Sequence, residues 1–130
     1  MNKKERLFKL AEGFIGAWNT QDVEGVVAVY TPDVQYRDPN THGFVGGSNA
    51  MRKYLAKLFT GWDMHWTIRE LYPLDDIDGA VVLWHAKLKR SGKDKSVEVD
   101  GMDLVLVKDN LIKRNDVYFD RAFLAPLFEQ

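Results

Sequence analysis

The chain changes its hydrophobic period near residue 62, and that change limits the folds open to it. Before it, apolar residues recur at helical spacing. After it, runs rich in β-branched and aromatic residues dominate. Leu7, Leu10, Ala11, Phe14 and Trp18 mark one face of a helix predicted over 3–18, with Lys, Glu and Arg between them. "NTQD" breaks it, and Asp22 is placed to cap a short second helix carrying Val23, Val26, Val27 and Tyr30. Thr31-Pro32 is read as the end of that helix, because the residue before a proline is driven out of the α region. A short strand is predicted over 34–37 and a loop over "NTHGFVGG". A third helix follows, capped by Ser48, with Met51, Tyr54, Leu55, Leu58 and Phe59 inward.

Four strand-like runs come next: "WDMHWTIRELYPL", "GAVVLWHAKLKR", "SVEVDGMDLVLV" and "LIKRNDVYFD". The polar turns "LDDIDG", "RSGKDKS" and "KDN" separate them. "RAFLAPLFEQ" reads as a short amphipathic segment closing over the core. The order helix, helix, strand, helix, then four antiparallel strands makes an α+β fold, a curved, mainly antiparallel sheet wrapped around three helices with a hollow between them. With no linker or repeat, residues 1–130 are read as a single domain.

Composition narrows the function. Eighteen basic against nineteen acidic residues leave a formal charge of -1, so no broad footprint for nucleic acid or an anionic membrane is expected. The lack of cysteine excludes disulfides and thiolate metal sites and is compatible with a cytoplasmic location. The charged start "MNKKERLFKLAEGF" is unlike a signal peptide, and no apolar stretch approaches a membrane span. Four Trp, five Tyr and seven Phe exceed what a core of this size needs, which points either to an aromatic-lined cavity or to a bulky core. "LDDIDG" resembles a fragment of a calcium loop, but its acidic spacing and missing terminal Glu do not fit one. His42, His65 and His85 are not at metal-ligand spacing, so no metal and no cofactor are expected.

Two carboxylates stand out. Asp103 shares a strand face with Gly101, Val105 and Val107, while Met102, Leu104 and Leu106 make the other face apolar too. Such a strand is expected to be covered on both sides, and burial then pushes Asp103 toward its neutral form. Asp103 is either a site acid or a structural group bonded to backbone. Asp38 precedes Pro39 and a glycine-rich turn, and is either a turn-former or a carboxylate at a strand end. Trp84, in phase with Val82 and Ala86, is expected to face the hollow and His85 to face away. His42 could reach the cavity mouth. Asn115 shares a face with Val117 and Phe119, as a neutral partner for Asp103, and Asp120 is placed to start the C-terminal turn.

The stretches "AWNTQDVEGVVAVYTPDVQYRDP", "GFVGGSNAMRKYL" and "GMDLVLVKDNLIKRNDVYFD" resemble SnoaL-like polyketide cyclases and, more widely, the nuclear transport factor 2-like superfamily, over nearly the whole chain from about Leu7. The resemblance implies a cystatin-like cone with a deep apolar pocket, usually dimeric through the outer face of its sheet. In ketosteroid isomerases of this superfamily a general-base Asp lies in an Asp-Pro motif, which Asp38 matches, and a protonated Asp stabilises the oxyanion, which Asp103 matches. That isomerase is itself a worked case of paired carboxylates with different tuning. Where those enzymes carry an oxyanion-stabilising Tyr, this chain has Phe14, and Tyr36, Tyr54 or another group would have to replace the lost donor. Epoxide-hydrolysing relatives place an acid where Val117 stands here.

Together these readings suggest a cofactor-free enzyme of the isomerase or cyclase type. Asp38 would remove a proton next to a carbonyl, and Asp103 would stabilise the enolate, with Asn115 or His42 assisting. Phe14, Trp18, Tyr30, Tyr36, Tyr54, Trp66, Trp84, Val117 and Phe119 would shape a site for a hydrophobic small molecule. The alternative is a non-catalytic, dimeric binding module for such a molecule.

Overall fold

Asn2 starts the first helix, accepting the Glu5 N–H on its side-chain oxygen at 2.8 Å. In the computed structural model, which describes residues 1–129, this helix (α1, Lys3–Thr20) runs two residues past the predicted end. It stops where Gln21 takes a left-handed conformation (φ 55°) and donates its N–H to the Trp18 carbonyl. Leu7, Ala11, Phe14, Ile15 and Trp18 form its buried face.

The second helix (α2, Val23–Val27) is capped by Asp22 as expected but ends earlier than the sequence suggests. Tyr30 is not on it; Tyr30 opens strand β1 (Tyr30–Arg37), and Pro32 lies inside that strand instead of terminating a helix. The pairing of β1 with its neighbour is interrupted between Tyr30 and Gln35, so the missing proline N–H falls where no regular ladder exists to be broken. A two-residue strand, β2 (Val45–Gly46), pairs antiparallel with β1 within the expected loop. Helix α3 (Ser48–Gly61) takes Ser48 as its first residue, not its cap. Gly47 holds the cap position at φ 84°, a conformation that favours glycine, with no side-chain cap bond. Met51 and Leu55 are buried, and Tyr54, Leu58 and Phe59 pack partly buried against the same core.

Strands β3 (Trp62–Pro73), β4 (Gly79–Arg90), β5 (Ser96–Lys108) and β6 (Leu111–Tyr118) form the expected antiparallel meander. β6 ends at Tyr118, so Phe119 and Asp120 lie beyond the strand. Asp120 then caps a C-terminal 3-10 helix (Arg121–Phe128) by accepting the Ala122 N–H. The curved sheet has the order β2-β1-β6-β5-β4-β3, with β1 and β6 parallel and every other pair antiparallel. A register shift between Ile68 and Glu70 resets the alternation of β3, so that Trp66, Ile68 and Leu71 all face the partners Ala86, Trp84 and Val82.

The concave face and the helices enclose one apolar cluster around Phe14, Val26, Met51, Leu55, Val82 and Val105. A second cluster gathers Trp84, Leu88 and Val99 under Leu124 and Leu127 of the C-terminal helix. β5 departs from the sequence reading. Its inner residues Asp103, Val105 and Val107 are buried, but Met102, Leu104 and Leu106 are only half-buried, because among the described residues no element packs over the convex side. Among the described residues no helix is long and apolar enough to cross a membrane.

Candidate functional site

Between the concave sheet and the helices lie two adjoining compartments. Trp18, Tyr36, Trp66 and Val117 belong to the walls of both. The outer one adds Asp38 and Asn40 from the turn after β1, Trp62, Met64, Trp84 and Leu88 from the sheet, and Leu58, Phe119 and Leu124 from the closing segments. The inner one adds Phe14 and Ile15 from α1 with Asp103 and Asn115 from the sheet. The outer compartment has a volume of about 50 Å³ and the inner one about 30 Å³. That is space for a few waters each, a slender two-part slot instead of a broad cavity.

The two acids therefore stand in neighbouring compartments that share an aromatic wall. Asp38 is half-buried. Its Oδ2 accepts the hydroxyls of Tyr36, at 2.7 Å, and of Tyr54, and its Oδ1 accepts the Asn40 N–H at 2.7 Å. The Asn40 bond makes the Asp-Pro-Asn stretch an Asx turn, so Asp38 is a turn-former and a wall carboxylate at once. Burial raises the Tyr36 and Tyr54 hydroxyls well above the usual phenol range, and the negative charge of Asp38 raises both further, so both remain protonated donors.

Asp103 is buried and accepts two neutral donors: Trp84 Nε1–H at 2.8 Å on Oδ1, and the Asn115 amide at 3.2 Å on Oδ2. Burial drives its carboxyl up from 3.8 to about 6. The two hydrogen bonds oppose that rise, and the charges of Asp38 and Asp116 add to it. The expected drift toward the neutral form is thus present, with the midpoint below neutral pH. Asn115 in turn accepts the Tyr30 hydroxyl at 2.7 Å, and Tyr30 accepts Trp18 Nε1–H at 3.0 Å.

Trp84 faces inward and His85 outward, as the alternation predicted. His85 bonds to Asp100 at 2.7 Å and Glu98 at 2.8 Å on the convex face, and these bonds raise its pKa. His42 is exposed and belongs to neither compartment wall, since its loop folds outward beside β2. Tyr30 and Tyr54 act from behind the walls through Asn115 and Asp38. Leu58, Trp62, Met64, Leu88 and Leu124 escaped the sequence reading. For Trp62 and Met64 the signal was present, since they share the phase of Trp66 along β3. Among the described residues no group of three or more His, Asp or Glu could hold a metal ion.

The sequence profile of the SnoaL-like domain family matches residues 11–115. The chain belongs to the SnoaL-like family. No curated protein matches it by sequence. Solved structures similar to this SnoaL-like chain include TerC co-crystallised with polyporic acid, at 20% identity over 96% of this chain and 99% of that one, TM-score 0.80. A protein from Catenulispora acidiphila DSM 44928 with a ketosteroid isomerase-like fold, in complex with trimethylamine, is 16% identical over 92% of each chain, TM-score 0.80. A computationally designed 17-OHP binder is 17% identical over 91% of this chain and 95% of that one, TM-score 0.77. At these identities the likeness establishes the fold of the SnoaL-like chain, and its chemistry must be argued from its own side chains.

Proposed function

We propose that the chain is a cofactor-free enzyme of the isomerase or cyclase type, which removes a proton next to a carbonyl of an apolar small molecule. The observation that carries this reading is the setting of Asp38. It is a carboxylate on the wall of an otherwise aromatic slot, pinned by Tyr36, Tyr54 and the Asn40 N–H. Oδ1, with one donor, keeps a lone pair for the substrate proton. Asp103 stands across the shared wall as the second acid, and in its neutral form would donate to the enolate oxygen. The separation of roles between two carboxylates in different surroundings favours this division into base and donor. The test is the exchange of the methyl protons of acetophenone in D2O, followed by NMR. Wild type should accelerate it, and Asp38→Asn should lose at least about 100-fold of the acceleration, the usual share of a general base. An unchanged rate in Asp38→Asn would defeat the assignment.

A second reading, a non-catalytic module that binds a hydrophobic small molecule, draws on Phe14, which brings no hydroxyl to the inner compartment. The designed 17-OHP binder of the same fold supports it as well. In either case the chain is proposed to act as a homodimer, with the half-exposed Leu83, Met102, Leu104 and Leu106 of the convex face covered by a second copy.

A further inference from the structure

The hydrogen bonds that reach Asp103 all run toward it. Both routes begin at an indole, and an indole N–H can only donate. Trp18 Nε1–H donates to the Tyr30 hydroxyl at 3.0 Å, which obliges Tyr30 to send its own hydrogen on to Asn115 Oδ1 at 2.7 Å. With its oxygen so occupied, Asn115 presents its amide N–H to Asp103 Oδ2 at 3.2 Å, while Trp84 Nε1–H meets Oδ1 at 2.8 Å. Each carboxyl oxygen is met by a donor that has no lone pair to offer in return. A proton carried by Asp103 therefore finds no acceptor among these neighbours and is left to point into the inner compartment that the carboxyl lines. Gly101 secures one of the two routes. It lies opposite Trp84 in the β4–β5 register, and a Cβ there would come within 2.6 Å of Trp84 Cζ2 and 2.7 Å of the Tyr118 carbonyl oxygen. Only a residue without a side chain lets the indole lie across β5 and reach Asp103.

We infer that Trp18, Tyr30, Asn115 and Trp84 are positioning residues that aim the Asp103 hydroxyl at an acceptor oxygen of the bound molecule, a carbonyl or enolate, and thereby replace the donor that Phe14 lacks. The inference rests on the reading of the slot as a site for a carbonyl compound. Tyr30 separates it from a merely structural account. Its side chain belongs to neither compartment wall, and Tyr30→Phe keeps the ring that packs on Tyr36 while removing the hydroxyl that holds Asn115. Without its hydroxyl, the Asn115 amide is free to turn its oxygen to Asp103 and capture the proton.

The titratable groups around Asp103 on the inner side are Tyr30 and Tyr36 of β1 and Asp38 at the end of that strand; Asp116 of β6 acts on it by charge from the convex side, where Arg37 and Arg114 hold it, and α1, β3 and β4 bring only uncharged side chains to this compartment. Burial keeps the two tyrosines protonated, so the carboxyl itself governs donation in the range from pH 5 to 8. The experiment compares 4-fluoroacetophenone with 1-ethyl-4-fluorobenzene, the same shape without the carbonyl, by fluorine NMR titration at pH 5 and pH 8. Wild type should prefer the ketone by about tenfold at pH 5, the worth of one hydrogen bond, and should lose that preference at pH 8. Tyr30→Phe should abolish the preference at pH 5 while hydrocarbon affinity stays at the wild-type value. Should that variant not fold, the wild-type titrations decide by themselves: a ketone preference as large at pH 8 as at pH 5 overturns the inference. An undiminished ketone preference in the variant overturns the positioning role and leaves the pocket standing. If wild type binds neither probe, the reading of the slot falls and takes the inference with it.

Discussion

Asp103 is a buried acid whose two partners are neutral, and its energetics follow from that. Between its ordinary value of 3.8 and about 6, the folded chain holds a proton that the unfolded chain has released. Stability therefore falls as pH rises through this window, and above it the full penalty applies, on the order of 3 kcal/mol for a shift of this size. Asp103→Asn removes the charge but leaves one of two donors without its acceptor. It should be more stable than wild type at pH 8 by about 1–2 kcal/mol, with the gain gone below pH 4, as urea denaturation would measure. A gain over wild type no larger at pH 8 than at pH 4 would show that the acid is not penalised in the fold. How far such residues can be read from sequence depends on what they touch. The phase of β4 put Trp84 inside, because alternation is a local rule, whereas β5 is apolar on both faces and its phase did not say which side Asp103 takes. The bond between them, the outward turn of the His42 loop and the grip of Tyr54 on Asp38 depend on how separate elements are brought together, and no local rule contains that.

At the scale of elements, the meander and the two long helices were legible because each has a sustained period. The failures cluster where short segments compete. Tyr30 and Thr31, the predicted end of the second helix, went to β1, and Pro32 read as a stop signal when it sits in an interrupted stretch of pairing. The C-terminal 3-10 helix is the weakest element that touches the site. It covers the outer compartment with Leu124, but its backbone bonds are local: Phe123 N–H to the Asp120 carbonyl and Glu129 N–H to that of Pro126. Apolar side chains alone tie it down, chiefly Leu124 and Leu127, with Phe128 against Trp62 and Arg90. Poorer geometry makes long 3-10 runs uncommon, so amides in 121–129 should exchange with D2O at least about 100-fold faster than those of β4 and β5. Mass spectrometry of exchanged peptides would measure this, and equal protection would mean that the segment is an integral part of the core.

The whole molecule presents a convex apolar strip, Leu83, Met102, Leu104 and Leu106, half-exposed in one chain. Beside it Arg37 and Arg114 share the fully buried Asp116, and both guanidiniums lie over the Phe44 ring, at 5.0 Å and 5.7 Å. The proposed homodimer buries the strip between copies. Leu104→Lys should then sediment as a monomer at concentrations where wild type is a dimer, without losing secondary structure by circular dichroism. A monomeric wild type would remove the dimer. The sheet order has a further consequence, in time instead of space. Among the described strands β6 is made after the other five, yet it lies between β1 and β5. While the exit tunnel still hides it, the nascent protein carries two bare inner edges and no parallel seam, with Asn115 still missing from beside Asp103. Assembly of the slot thus waits for β6 to emerge, and in that interval those open edges are the places where a nascent chain is most vulnerable to pairing with its neighbour.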